Sequence, residues 1–381
     1  MTVWNDARFA ERLAHANWMA NTAVLMHLNE RATGDPARDW LSSWAHRWFA
    51  GDELRVLVLG CGEGWLERAI AAWPFVARID AVDFAAEAVG RARELARGLE
   101  KISYGVVDLN RDQLPPDTYD VVVAHSVLHH VENLEHAYAQ IERAMRPDAT
   151  LIVNEYIGPN RFQYSDAVDA AINALLRALP EELRRPYDVR VRPSVEEMIA
   201  NDPTEAVRAE ELVAFTEVRF EVLERKPLGG AILQHLLYDI VQNFRFDVPR
   251  ERSLLQMLCT IDAMLTDSER IPCDFEILVA RKRGSGVTKV DRPLPPRTEA
   301  ANDVEPDPLR RLSRFARMRG GALDRHQRRL LRLAILAEQP RRANLFAEDV
   351  RLGPLPGTLK YVPRDPAVRA LLEVAAILAP A

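Results

Sequence analysis

The apolar run Val56 to Leu59 leads into Gly60-Cys61-Gly62-Glu63-Gly64, and a helical pattern begins by Trp65. A buried strand, a glycine loop and a helix in that order aim unpaired helix N–H groups and a partial positive charge at whatever lies beyond the strand. Glycine accepts positive φ there and lets a ligand approach the backbone. No Gly-Lys-Ser/Thr follows, so this is not a Walker loop, although a tight turn without a ligand would look the same. The acids that follow give the loop a ligand. Asp83 ends the second strand pattern, 19 residues after Gly64, where a carboxylate can accept both hydroxyls of a ribose. Asp108 ends the third, where it can accept an adenine amino hydrogen while the Leu109 N–H serves a ring nitrogen.

These residues need a frame. Strand patterns at Arg78–Asp83, Ile102–Val107, Tyr119–Ala124 and Thr150–Asn154 alternate with helical patterns at Ala85–Leu99 and Leu134–Met145. That rhythm, with short loops, predicts an α/β fold with a doubly wound parallel sheet. Two later strands are expected at Val218–Glu224 and Phe275–Arg281, with helices over Ala231–Phe246 and Ser253–Leu265. The expected organisation is a helical N-terminal cap over 1–50 and a binding domain over 51–283, carrying helical lid insertions at 156–215 and 226–273. A linker over 284–308, rich in Pro, Gly and acids, and a C-terminal helical appendage over 309–381 complete it. Trp4, Trp18, Trp40, Trp44 and Trp48 in the cap read as core packing or as aromatic closure of a ligand site.

Composition bounds the function. Hydrophobic residues make up 48% and charged residues 28%, as in a globular protein with ample core. No apolar run approaches the ~18 residues of a membrane span and no signal-peptide pattern opens the chain, so a cytoplasmic setting is expected. Cys61, Cys259 and Cys273 form neither a disulfide framework nor a zinc pattern, and no metal is expected. The net charge is −6, but 309–342 holds eleven arginines against Asp324 and Glu338, about +9, leaving about −15 on the rest. Those Arg-rich helices suit a protein partner or a homo-oligomer contact. The acidic body makes nucleic acid an unfavourable acceptor.

The motifs taken together resemble the class I S-adenosylmethionine-dependent methyltransferases, over about Leu54 to Asn154. Val56 through Gly64 looks like that family's first motif, with Leu59 where an acid is common. Asp80-Ala81-Val82-Asp83 looks like the second, Val107-Asp108-Leu109 the third, and Tyr119-Asp120-Val121-Val122 with Leu128-His129-His130-Val131 the fourth. Arg146 to Leu151 looks like the turn into the fifth strand, with Asp148 in place of a glycine. The resemblance implies a Rossmann-like seven-stranded sheet with the last strand antiparallel, and S-adenosyl-L-methionine as cofactor. By position it implies that Gly60, Cys61, Gly62 and Gly64 make room for the methionine part, Asp83 holds the ribose and Asp108 the adenine amine. Phe84 would flank the adenine, and the backbone near His125 and Ser126 would meet the ammonium. A dinucleotide oxidoreductase fits less well, because the third glycine sits one residue early and no second nucleotide half follows.

The acceptor is sought at the opposite rim. A hydroxyl acceptor needs a base near neutral pKa, which points to His129 or His130 after the fourth strand and to Glu155 or Tyr156 after the fifth. The same residues would also serve merely to fix a loop or cap a strand. Glu155 to Tyr164 mixes aromatic rings, an amide and the Arg161 guanidinium, a set that suits a polar ring such as a sugar or a glycan precursor. Another small metabolite, or a non-catalytic S-adenosylmethionine-binding partner subunit, is the alternative.

Overall fold

The computed structural model describes residues 17–290 and 292–294. Seven strands build one sheet: β1 Leu54–Leu59, β2 Val76–Asp83, β3 Ile102–Val106, β4 Tyr119–His125, β5 Met145–Tyr156, β6 Phe220–Gly229 and β7 Phe275–Lys282. Their order is β3-β2-β1-β4-β5-β7-β6. β1, β2, β3, β4 and β5 are mutually parallel, while β7 runs antiparallel to both β5 and β6. The expected Rossmann-like sheet, with β7 reversed, is what the chain forms. The order turns back between β1 and β4, paired Val56↔Val121 through Leu59↔Ala124. Ligands of open α/β sheets bind outside the carboxyl ends at such a point.

Side chains alternate across the sheet, so one strand feeds two cores. Val56, Val58, Val121, Val123 and Ile152 face one side; Leu57, Leu59, Val122, Ala124 and Leu151 face the other. The first side is covered by α1 (Thr22–Thr33), α2 (Trp40–Trp48), α3 (Trp65–Ala71) and α4 (Ala86–Leu95). The second is covered by α5 (Leu134–Ala144), whose Tyr138 and Ile141 are fully buried. Trp18, Trp40, Trp44 and Trp48 are buried in the first core, so the cap is mainly core, although Trp40 also reaches the end of β4.

The lid begins beyond β5 with α6 (Asp166–Ala178), α7 (Glu181–Arg184), α8 (Val195–Asn201) and α9 (Leu212–Arg219), before β6. Between β6 and β7 come α10 (Leu233–Leu237) and α11 (Pro249–Asp267). Here the structure corrects several sequence expectations. β6 runs on to Gly229 through Pro227, which is tolerated because β6 is an edge strand with a bulge there. The second insertion therefore starts after 229 and not at 226. The helix expected over Ala231–Phe246 is broken: α10 stops at Leu237, Asp239 takes φ 62°, and a short 3-10 turn follows at Val241–Asn243. β5 starts at Met145, ahead of the expected Thr150, because Met145 pairs with Tyr119 across an irregular register.

The segment after β7 is not free linker at its start. Val287 is buried, the Gly286 N–H donates to Asp148 Oδ1 (3.0 Å), and the Val290 N–H donates to the Arg47 carbonyl (2.7 Å). Arg292 donates to the carbonyls of Phe49 and Gly51. Trp4, the later linker and the Arg-rich appendage lie outside the described residues. No helix among the described residues is long and apolar enough to cross a membrane.

Candidate functional site

The loop after β1 is shaped by its own backbone. The N–H groups of Gly60 and Cys61 both donate to the Val82 carbonyl, at 2.8 and 3.0 Å, so the loop is tied to the end of β2. Gly60, Gly62 and Gly64 all have positive φ, at 68°, 50° and 78°. A Cβ on Gly60 would sit 2.3 Å from Val127 Cβ, whereas one on Gly62 would meet nothing within 4 Å. Gly60 is therefore required by packing and Gly62 borders open space, the arrangement that leaves room for a ligand beside the backbone. Cys61 is buried and burial pushes its thiol far above its ordinary value, so only its backbone faces the loop's task.

Asp83 sits under this loop. Its Oδ2 accepts from the Gly62 N–H and its Oδ1 from the Ala85 N–H, each at 2.9 Å. Each oxygen keeps a second lone pair for a ribose hydroxyl. Burial raises the Asp83 carboxyl, and the backbone bonds from Ala85, Gly62 and Phe84 counter that. Asp108 lies two residues past β3. Its Oδ1 accepts from the Asn110 backbone and side chain, at 2.9 and 3.0 Å, and Oδ2 pairs with Arg111 at 3.2 Å. An adenine amine would share this carboxylate with its own turn. Leu109 is buried in the second core, while Phe84 lies exposed on the rim. At the end of β4 the His125 ring contacts Trp40 (5.3 Å between centroids) and Trp65 (5.5 Å). Its Nδ1 is buried without a hydrogen-bond partner, and burial lowers its pKa, keeping it neutral. An orphaned imidazole nitrogen, a half-buried carboxylate and open space at Gly62 are features that a polar nucleoside-bearing cofactor fits.

Glu67, on α3 just behind the loop, was not singled out by the sequence. Its carboxyl is fully buried, no other side chain bonds to it, and burial pushes it up to about 7. A raised acid pKa makes the folded state hold a proton the unfolded chain has lost, so stability falls as pH rises from about 4.5 to 7. Glu67→Gln is expected to raise stability at pH 8 by up to about 3 kcal/mol and to leave it nearly unchanged at pH 4. Thermal unfolding at the two pH values measures this, and equal shifts at both would contradict it.

The other rim is built around Glu155, fully buried near the end of β5. Its Oε1 accepts the N–H groups of Val127 and Leu128, both at 2.7 Å, pinning the 3-10 turn Leu128–His130. Its Oε2 bonds His129 Nδ1 at 2.7 Å. Glu155 thus accepts three hydrogen bonds and acts on the site through His129. Tyr156 is buried too, its hydroxyl donates to the Pro159 carbonyl (2.9 Å), and burial holds the phenol well above its ordinary value. Its proton is committed, so of the four residues expected here the structure brings His129 and Glu155 together and places His130 beside them. The two imidazole rings lie 4.1 Å apart. Burial works against a charged His129, but Glu155, Glu205 and Asp202 outweigh it and raise its pKa. Burial, then His129 and Arg161, lowers His130 well below the ordinary imidazole value against a hydrogen bond to Thr204.

Asp202, Thr204 and Glu205 come from the lid and carried no signal in the sequence. The Val207 N–H donates to the His129 carbonyl (3.0 Å) and the Arg161 N–H to the Ala206 carbonyl (2.8 Å), which brings the loop over the histidines. Glu205 Oε1 lies 3.6 Å from His129 Nε2. Ser126, Arg161, Phe162 and Ala206 all have positive φ, between 48° and 55°. Such non-glycine strain gathers where surrounding structure over-determines a site. The polar groups expected to grip a sugar are used otherwise: the Arg161 guanidinium donates to the Glu205 carbonyl, Gln163 Nε2 to the carbonyls of Arg161 and Pro193, and Asn160 Oδ1 accepts from Glu210.

Residues 57–153 match the family model described as "Methyltransferase domain". Among curated proteins, a highly reducing polyketide synthase of Aspergillus nomiae is 26% identical over 27% of this chain and 4% of its own length. A malonyl-[acyl-carrier protein] O-methyltransferase of Bacillus anthracis is 26% identical over 33% of this chain and 46% of its own. The corresponding protein of Halalkalibacterium halodurans is 30% identical over 30% and 43%. The chain therefore spans less than half the length of these relatives. Among solved structures, an S-adenosylmethionine-dependent methyltransferase from Mesorhizobium loti is 17% identical, covering 64% of this chain and 97% of that one, with a TM-score of 0.38. A geranyl diphosphate C-methyltransferase from Streptomyces coelicolor is 14% identical over 61% and 72%, with a TM-score of 0.40. Both scores lie below the level at which a superposition bears on function. The matched segment holds the glycine loop, Asp83, Asp108 and both histidines on consecutive strand ends, and over that segment the chain is similar to the methyltransferase domain family.

Proposed function

We propose that the protein transfers a methyl group from S-adenosylmethionine to a hydroxyl oxygen of a small polar acceptor, the class to which sugars and glycan precursors belong. Bound at the Gly60–Gly64 loop with its ribose on Asp83, the cofactor supplies a methyl already activated on a sulfonium. The chain's own task is to hold, orient and exclude water. Gly62 leaves room for the methionine part, Asp108 and Phe84 lie toward the adenine, and the turn at His125 and Ser126 toward the ammonium. With Leu59 where the family often has an acid, the orphaned His125 Nδ1 is the polar group left to help hold that end. A non-catalytic binding subunit would have no use for a built acceptor end.

The observation that carries the reading is the Glu155–His129 bond at 2.7 Å. A buried carboxylate fixes the Nδ1 proton and leaves the Nε2 lone pair to engage an acceptor hydroxyl. His129→Ala is expected to keep its affinity for S-adenosylhomocysteine and to lose about 10²- to 10⁴-fold in turnover. The check is calorimetry for the product cofactor together with labelled-methyl transfer against a panel of sugars, glycolipids and other hydroxylated metabolites. Turnover by the variant at the wild-type rate would remove the histidine from the chemistry. The relatives from Bacillus anthracis and Halalkalibacterium halodurans, named as malonyl-[acyl-carrier protein] O-methyltransferases, support a second reading in which the acceptor oxygen is a carboxylate. A carboxylate needs no base, so an acyl acceptor methylated equally well by wild type and His129→Ala would favour that one.

A further inference from the structure

We propose that His129, His130 and Glu205 form a binding site for one divalent transition-metal ion, of the zinc, cobalt or iron(II) class. The three side chains each offer one ligand atom, and all three atoms lie within 4.8 Å of one another. Bonds of about 2.0–2.2 Å to imidazole nitrogen and carboxylate oxygen place ligand atoms roughly 3–3.5 Å apart. The His129 Nε2–Glu205 Oε1 pair already stands at 3.6 Å, so a contraction of about 1 Å elsewhere closes the set.

The surrounding hydrogen bonds are those a metal site requires. Imidazole ligands give their second ring N–H to an oxygen acceptor, which fixes the tautomer and raises ligand basicity. Glu155 Oε2 takes Nδ1 of His129 at 2.7 Å, leaving the Nε2 lone pair. His130 Nδ1 lies 3.2 Å from Thr204 Oγ1, and that hydroxyl donates onward to Asp202 Oδ1 at 2.7 Å. Because Thr204 spends its own proton on Asp202, it receives one from His130. Both histidines are thus backed by a carboxylate, one directly and one through a hydroxyl. The surroundings agree: Glu155, Glu205 and Asp202 act on His129, with the Arg161 guanidinium nearby, so the site sets more carboxylates than cations around a divalent ion.

Three protein ligands leave coordination positions open. Resting on the hydroxyl-acceptor reading for its role, though not for its existence, the ion would take up the His129 Nε2 lone pair, bind the acceptor oxygen itself and lower its pKa, so that His129 acts on the hydroxyl through the ion in place of direct proton abstraction. The hydroxyl proton passes to solvent, the oxygen–methyl bond forms as the sulfur–methyl bond breaks, and S-adenosylhomocysteine leaves.

The test uses the untagged full chain, stripped with a chelator and dialysed, then titrated with Co²⁺ and Zn²⁺ by calorimetry and visible absorption. One equivalent is expected to bind. E205Q and H130A are each expected to weaken it at least tenfold, and Glu155→Gln by about 10- to 100-fold, with S-adenosylhomocysteine affinity held in all variants. Wild-type binding no tighter than that of the H130A/E205Q double variant, while S-adenosylhomocysteine still binds both, overturns the site. Methyl transfer that persists in chelator would do the same for the ion's role while leaving the proposed function standing. Metal binding without transfer to any acceptor would instead count against the proposed function alone.

Discussion

Glu155→Gln is expected to fold, to bind S-adenosylhomocysteine and to turn over about 10²- to 10⁴-fold more slowly than wild type, a loss of the size seen when a carboxylate that orients a histidine is neutralised. The amide oxygen can still accept from Val127 and Leu128, which Glu155 holds at 2.7 Å. The amide NH₂ then faces His129 Nδ1, donor against donor, so the imidazole must move its proton to Nε2 and lose the lone pair it aims at the acceptor end. The sign of the pH effect follows from the same bond. Glu155 is the largest influence raising the His129 pKa against burial, so without its charge burial gains and the pKa falls. Nitrogen chemical shifts of the histidine ring, followed through a pH titration, read tautomer and pKa without needing an acceptor. A wild-type tautomer and midpoint in the variant would remove Glu155 from its positioning role. Glu155→Ala is the harsher control, since it leaves the half-buried Val127 N–H and the buried Leu128 N–H unbonded, the latter at about 1–3 kcal/mol.

Asp83→Ala is expected to weaken S-adenosylhomocysteine binding by about 10- to 150-fold, the loss that follows from one charge-assisted hydrogen bond of about 1.5–3 kcal/mol. Asp83 serves twice, because the oxygens proposed to hold the ribose also hold the N–H groups of Gly62 and Ala85. Asp83→Asn keeps one acceptor oxygen and separates the two functions: it should retain part of the loop's order and lose most of the affinity. Calorimetry with S-adenosylhomocysteine decides, and an unchanged dissociation constant in both variants would remove Asp83 from the cofactor site. Neither substitution should shift the His129 titration much, because the charges that act on it most strongly are Glu155, Glu205 and Asp202.

The donor half of the site was legible in the chain because its information is local. Gly60 to Gly64 and Asp83 lie at the ends of adjacent parallel strands, and such strand ends meet whenever the alternating pattern folds as a sheet. The edge strand was legible only in part. Arg225-Lys226-Pro227 looks like an ending, yet an edge strand has one side without a partner and can carry a proline and a bulge. The run Ala231–Phe246 has helical periodicity, but two left-handed glycines before it and Asp239 within it bend the chain into short turns. Periodicity reports which side chains are buried, and a bent chain can bury the same ones.

The acceptor half shows the limit most clearly. His129, His130 and Glu155 could be picked out by type and place, but whether Glu155 was a base or a support for one was a matter of where its oxygens pointed. Glu205 and Asp202 lie more than seventy residues beyond the histidines, in a turn with no motif. They arrive because the His129 carbonyl and the Arg161 N–H bond to the lid backbone at Val207 and Ala206. The amino-acid sequence by itself marked the parallel strands, the glycine loop and the acids that end the strands, because alternation and glycine placement act over a few residues; the reversed last strand and the cofactor followed from the family that these motifs resemble. Tertiary packing alone decided what faces the histidines, because side chains dozens of residues apart become neighbours only through the lid's closure over β4 and β5.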